Sequence, residues 1–216
     1  MANTLTEFID ANADFRTNKQ MRVPICLCID VSESMRLNRR IDMVNEGVEK
    51  FIRESRENIY ASGAVDIAIV TFGGQQARVH MPFTIAREIK DFTPLTTHGG
   101  TPLGEAVQLA LTEIKNRKNA YEDHTILSFK PWLVIMSDGL SDDDVTDAAY
   151  TVRRELAARK IKLMCVDMSG SNESGDLKKF TLDGKVETIS ALEIGNFFDM
   201  LSRSAAGLST EVGSDE

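Results

Sequence analysis

Two stretches of this 216-residue chain set an aspartate at the end of an apolar run. In VPICLCIDVSESM, residues 23–35, Asp30 follows the run, and Ser32 and Ser34 stand at alternating positions beyond it. In PWLVIMSDG, residues 131–139, Asp138 holds the corresponding place. A carboxylate followed by two hydroxyls could cap a helix, cradle an anion, activate a nucleophile or hold a hard metal ion. If the two runs are adjacent strands, both carboxylates lie close together above one sheet. Like charges at that separation repel, so one must protonate or a cation must sit between them. The loop THGGTPLGEA, residues 97–106, adds Thr101; its glycines permit a close approach, and Pro102 suits the first turn of a helix. Asp30, Ser32, Ser34, Thr101 and Asp138 make two carboxylates and three hydroxyls, with no histidine or cysteine needed. Hard cations take all-oxygen sets, and Mg²⁺ in particular keeps waters beside a few protein oxygens; Mn²⁺ and Ca²⁺ are alternatives.

Elements that could position such a set are legible. Val23–Asp30 reads as a central parallel strand covered on both faces. Ile41, Val44, Val48, Phe51 and Ile52 recur at helical spacing, which predicts a helix over about Arg39–Glu57. Ala64–Phe72 is a second strand, and Gly73-Gly74 turns into an antiparallel edge partner at Ala77–Met81. A helix over Leu103–Lys118, a strand over Pro131–Ser137, a helix over Val145–Lys160 and a strand over Ile161–Met168 follow. A short element near Asp176–Phe180, a weak strand near Lys185–Ile189 and a helix over Ala191–Ala205 complete the order. Strands alternating with helices predict an α/β fold, a doubly wound and mostly parallel sheet with one antiparallel edge strand and helices on both faces. In such folds ligands bind beyond the carboxyl ends of the strands, at the topological switch point. Residues 1–20 are expected to be a mobile or loosely docked extension, 21–206 one domain, and 207–216 a disordered tail.

Composition narrows the function classes. The chain is 42% hydrophobic and 27% charged with a net charge of −8, so binding to nucleic acid or anionic lipid is disfavoured. No apolar run approaches the ~20 residues that span a bilayer. The N-terminus lacks the basic and apolar regions of a secretory signal, and three cysteines are too few and odd for a disulfide framework. Cys26 and Cys28 share one strand face and read as reduced core thiols, with a metal-binding pair as the weaker alternative. A cytoplasmic protein fits best.

The D-x-S-x-S set at 30–34, the threonine of GGTPLGEA at 101 and the aspartate of SDG at 138 resemble the von Willebrand factor A family. The resemblance runs from about Val23 to Ala205. It implies that Asp30, Ser32, Ser34, Thr101 and Asp138 form a metal-ion-dependent adhesion site. Ser32 and Ser34 would ligate directly, and Asp30 and Asp138 directly or through water. Thr101 would switch between water-mediated and direct contact, and a carboxylate from another molecule would complete the shell. The runs VNEGV at 44–48, THGGTPLGEAVQLAL at 97–111 and KPWLVIMSDG at 130–139 look most like the bacterial TerY-like tellurite-resistance subgroup. That likeness implies a stress-response setting, with kinase or phosphatase components as possible partners. Glu33 departs from the subgroup, many of whose members carry glycine between the two serines.

Blander readings stand beside these. Ser32 and Ser34 alone would serve as turn and helix-capping residues. Ser141 reads as an N-cap, with Asp142, Asp143 and Asp144 complementing the dipole of the helix that follows. Arg36, Arg39 and Arg40 read as a solvated helix start. His98 reads as a loop histidine, and Trp132 as a packing residue. The leading functional expectation is a non-enzymatic, metal-dependent module that captures an acidic residue of a protein partner. The rival is a metal-assisted hydrolase or phosphotransferase with Asp30 as nucleophile. A haloacid-dehalogenase-type site would need a second aspartate at position 32 and a lysine for phosphate. Neither is evident, and no Walker A or G-x-G-x-x-G pattern occurs.

Overall fold

The computed structural model describes residues 14–138, 140–170 and 175–213. Its sheet has six strands in the order β3-β2-β1-β4-β5-β6, formed by β1 (Val23–Asp30), β2 (Val65–Gly73), β3 (Gln76–Ile85), β4 (Trp132–Ser137), β5 (Lys162–Asp167) and β6 (Glu187–Thr188). Only β3 is antiparallel to its neighbour. The main helices are α1 (Asp14–Thr17), α2 (Arg40–Glu57), α3 (Leu103–Asp123), α4 (Thr146–Ala157) and α5 (Ile194–Gly213).

Every residue of β1 is buried, because the alternation of its side chains feeds two cores. Val23, Ile25, Leu27 and Ile29 join the cluster that α2 and α5 close. Cys26 and Cys28 point the other way, into the cluster that α3 and α4 close. The sheet is therefore doubly wound, with helices on both faces. β1 continues to β2 on one side and to β4 on the other, so the switch point is the crevice between β1 and β4. Their register, with Ile29 opposite Met136, brings Asp30 level with Ser137.

Several boundaries differ from expectation. β3 extends to Ile85, and its exposure pattern explains the shorter reading: most of its residues are exposed or half-buried, as an edge strand allows. α5 continues to Gly213, past the boundary expected at 206–207; Ser209 is buried and donates to the Ala205 carbonyl at 2.9 Å. The expected loose extension is docked from residue 14 onward. Asp14 and Phe15 are buried, and the Asp14 carboxylate accepts from both Arg22 and Arg87. Phe15 packs edge-on against Tyr121 and lies 4.5 Å under the Arg117 guanidinium. Arg117 in turn pairs with Asp66 Oδ2 at 2.6 Å, a buried ion pair, and the same oxygen accepts from the Tyr121 hydroxyl at 2.5 Å. Residues 1–13 and 214–216 lie outside the described residues. Among the described residues, no helix is long and apolar enough to cross a membrane.

Candidate metal centre

The backbone turns sharply after β1, and Asp30 governs the turn. It is fully buried, one carboxylate oxygen accepting from the Ser32 amide at 2.7 Å and the other from the Ser137 hydroxyl at 2.6 Å. This Asx turn presents the two serines together: Ser32 Oγ and Ser34 Oγ lie 2.9 Å apart. Ser34 Oγ then donates to Asp138 Oδ1 at 2.7 Å. Asp30, Ser32, Ser34 and Asp138 thus form one hydrogen-bonded line across the crevice between β1 and β4. Burial pushes the Asp30 carboxyl up to about 6, opposed by the hydrogen bonds from Ser137 and Ser32 and reinforced by the charge of Asp138.

Thr101 is nine-tenths buried and is placed by its backbone. Its amide donates to Asp142 Oδ2 at 2.7 Å, and its carbonyl accepts from the Asp142 amide at 3.0 Å. The preceding loop is tied to the end of β1 by the His98 amide, which donates to the Val31 carbonyl at 2.7 Å. It also meets the β2–β3 turn. Gly100 has φ +85°, and a Cβ there would fall 2.0 Å from the Gly74 carbonyl oxygen. Only glycine meets both demands.

The acidic run after β4 does more than its expected task, and only Asp144 serves the helix that follows, accepting from the Thr146 amide at 2.9 Å. Asp143 instead caps α3, accepting from the Gly104 and Glu105 amides, each at 2.8 Å. Asp142 holds Thr101, and Ser141, expected as an N-cap, donates its amide to Asp176 at 2.9 Å. These aspartates tie the Thr101 loop to the Asp138 loop, linking two of the three motif-bearing segments.

Arg40 overturns the reading of three solvated arginines. Arg36 and Arg39 are exposed, and Arg36 pairs with Glu33 at 2.9 Å and donates to Thr97 Oγ1 at 2.7 Å. The Arg40 side chain is only 10% exposed and pairs with Asp138 Oδ2 at 2.5 Å. Arg40 and Ser137 are the site residues that sequence reasoning missed. The signal for Ser137 was its place immediately before Asp138, level with Asp30.

Chemically, the cluster offers hydroxyl and carboxylate oxygens and nothing soft. Among the described residues, no three His, Cys, Asp or Glu side chains converge as a metal-binding group. Any ion held here would therefore rely on serine and threonine hydroxyls beside the two carboxylates, a donor set that fits a hard divalent cation. Arg40 already supplies a positive group against Asp138.

A search of curated proteins gives no match. Among solved structures, the vWF domain of the type V pili tip protein Mfa5 from Porphyromonas gingivalis is similar with a TM-score of 0.61 at 12% identity, over 89% of this chain and 97% of that one. Proximal thread matrix protein 1 from the mussel byssus, in a form with a zinc-occupied MIDAS motif, gives 0.56 at 14% identity, over 86% and 48%. The pilus adhesin SpaC from Lactobacillus rhamnosus GG, in an open conformation, gives 0.63 at 10%, over 88% and 31%. The chain spans about half the length of the mussel protein. At these identities the likeness is one of fold. The family model for the von Willebrand factor type A domain matches residues 25–139, just over half of the chain and all three motifs. The chain belongs to the von Willebrand factor type A domain family.

Proposed function

We propose that this protein is a metal-dependent protein-interaction module and not an enzyme. Asp30, Ser32, Ser34, Thr101 and Asp138 would hold a divalent ion, Mg²⁺ first, with Mn²⁺ or Ca²⁺ as alternatives. The carrying observation is the hydrogen-bonded line Asp30–Ser32–Ser34–Asp138 at the switch point of the sheet. Two carboxylates balance a divalent charge while neutral hydroxyls add none, so a bound ion would supply a positive centre for an external carboxylate. Thr101 is held by its backbone against Asp142, and in this reading its neutral hydroxyl would exchange one contact for another without altering the charge of the carboxylates.

A partner presenting an acidic side chain suits the centre, where a bound ion would receive its carboxylate. Arg36 and Arg39 are exposed on the segment after the serines, each paired with a neighbouring carboxylate, Glu33 and Asp42. The motif runs that look TerY-like support a bacterial stress or tellurite-resistance setting in the cytoplasm, with kinase or phosphatase components as partners. Nucleophilic catalysis by Asp30 finds little support, because that carboxylate is fully buried and both of its oxygens already accept hydrogen bonds.

The test is calorimetric titration of MgCl₂ into wild type and Asp30→Ala, followed by capture of an acidic peptide probe with Mg²⁺ and with chelator. The proposal expects one site in wild type, none in Asp30→Ala, and capture only with metal. Wild type that binds no divalent ion up to millimolar concentration would overturn it, and so would metal-dependent turnover of a phosphate or acyl ester.

A further inference from the structure

The segment between Ser34 and α2 follows an unusual path. Asn38 and Arg39 both adopt left-handed backbone conformations, with φ 53° and 57°. Non-glycine residues rarely do so, least of all in succession. The path turns Arg39 outward and Arg40 inward, so neighbouring arginines differ in side-chain exposure, 68% against 10%. Arg40 then bridges two strand ends: one guanidinium nitrogen meets Asp138 Oδ2 at 2.5 Å, and the other donates to the Ser169 carbonyl at 3.1 Å.

A second buried carboxylate lies on the same side. Asp167 ends β5, in register with Ser137, and is 2% exposed. One of its oxygens accepts from the Ser169 amide at 2.8 Å, while among the described residues the buried Oδ2 has no hydrogen-bond partner. A buried acceptor left unmatched is costly, and nothing in the proposed ligand set explains it. Arg40 is joined to that turn through the Ser169 carbonyl.

We propose that Arg40 is an internal cation that competes with a divalent ion for Asp138, and that Asp167 is its alternative acceptor. The proposal rests on the metal reading above. A guanidinium and a divalent ion repel when they share one buried carboxylate, so occupancy by the ion favours movement of Arg40 toward the β5 turn. The unmatched Asp167 oxygen makes that movement cheaper. Affinity for the ion is held down by the displacement of Arg40, and ion occupancy is coupled to the Asp167–Ser169 turn.

The experiment titrates MgCl₂ alone, by calorimetry, into wild type, Arg40→Gln, Arg40→Lys, Asp167→Asn and the Arg40→Gln/Asp167→Asn double variant, with melting in chelator as the control for folding. Arg40→Gln should bind Mg²⁺ about tenfold tighter than wild type, and Arg40→Lys, which keeps the charge, should stay near wild type. Asp167→Asn should weaken binding in wild type and have no effect once Arg40 is replaced, a coupling that independent structural roles would not produce. Unchanged or weaker affinity in Arg40→Gln, with wild type still binding, overturns this inference and leaves the metal site standing. Absence of Mg²⁺ binding in every protein overturns both. If Arg40→Gln does not fold, equal affinities in wild type and Asp167→Asn overturn the inference.

Discussion

Thr101 and Asp142 hold each other twice: the Thr101 amide donates to the Asp142 carboxylate at 2.7 Å, and the Asp142 amide donates to the Thr101 carbonyl at 3.0 Å. The two residues lie on different motif-bearing loops, and the reciprocal contact leaves the threonine side chain free of the work of anchoring its own backbone. Asp143, next in sequence, fastens the same pair of loops by capping α3.

Removing these contacts separates stability from capture. Asp143→Ala loses a helix cap and should cost about 1 kcal/mol in denaturant unfolding. Asp142→Ala should cost a similar amount and, in addition, weaken capture of an acidic probe, because Thr101 loses its fixed position. Equal capture by Asp142→Ala and wild type would show that the Thr101 loop is held by other means.

Divalent ions should stabilise the fold through the proposed site. At tenfold excess over its dissociation constant, one site adds roughly 1.4 kcal/mol, seen as a raised melting temperature. Asp30→Asn should blunt that rise. Thr101→Ala should retain much of it while losing capture of the acidic probe, since a neutral hydroxyl contributes no charge to holding the ion. Superimposable melting curves with Mg²⁺ and with chelator would count against the site.

Glycine at position 100 serves geometry, and a comparison within the chain isolates that role. Gly100 and Gly184 share left-handed backbone, φ +85° and +73°, but only at Gly100 would a Cβ meet a backbone oxygen; nothing lies within 4 Å at Gly184. Gly184→Ala should cost about 1 kcal/mol from its backbone conformation alone, and Gly100→Ala about 3 kcal/mol or more. Urea unfolding of the two variants measures the difference, and equal losses would refute the close approach of the two loops.

The three cysteines should behave as core thiols. Burial raises all three, Cys26 and Cys28 far above the ordinary range and Cys165 to about 12. Raised values mean less thiolate at any working pH, so at pH 8 labelling by a disulfide reagent should be slow in native protein and immediate in denaturant. Fast native labelling, rising between pH 7 and 9, would show an accessible thiol.

The sheet was readable because β1, β2 and β4 are short apolar runs with no helical period, and each is covered on both faces. α3 was readable from its repeating apolar positions, although its last turn was not, since Tyr121 is buried by α1, a segment distant in sequence. The single turn of α1 carries too few residues to show any period, so its docking through Asp14 and Phe15 left no local trace.

Residue type and spacing alone determined that Asp30, Ser32, Ser34 and Asp138 would face one crevice, because strand periodicity and the switch-point rule are local and topological properties. They could not determine which charges meet there. Arg36, Arg39 and Arg40 are indistinguishable by type, and the inward turn of Arg40 depends on two left-handed residues and on a carboxylate 98 positions away. Asp142, Asp143 and Asp144 are likewise identical in sequence, yet each satisfies a different backbone. Only the tertiary structure decided these assignments, because a buried charge takes whichever partner the packed loops bring within reach, and separation along the chain carries no record of that distance.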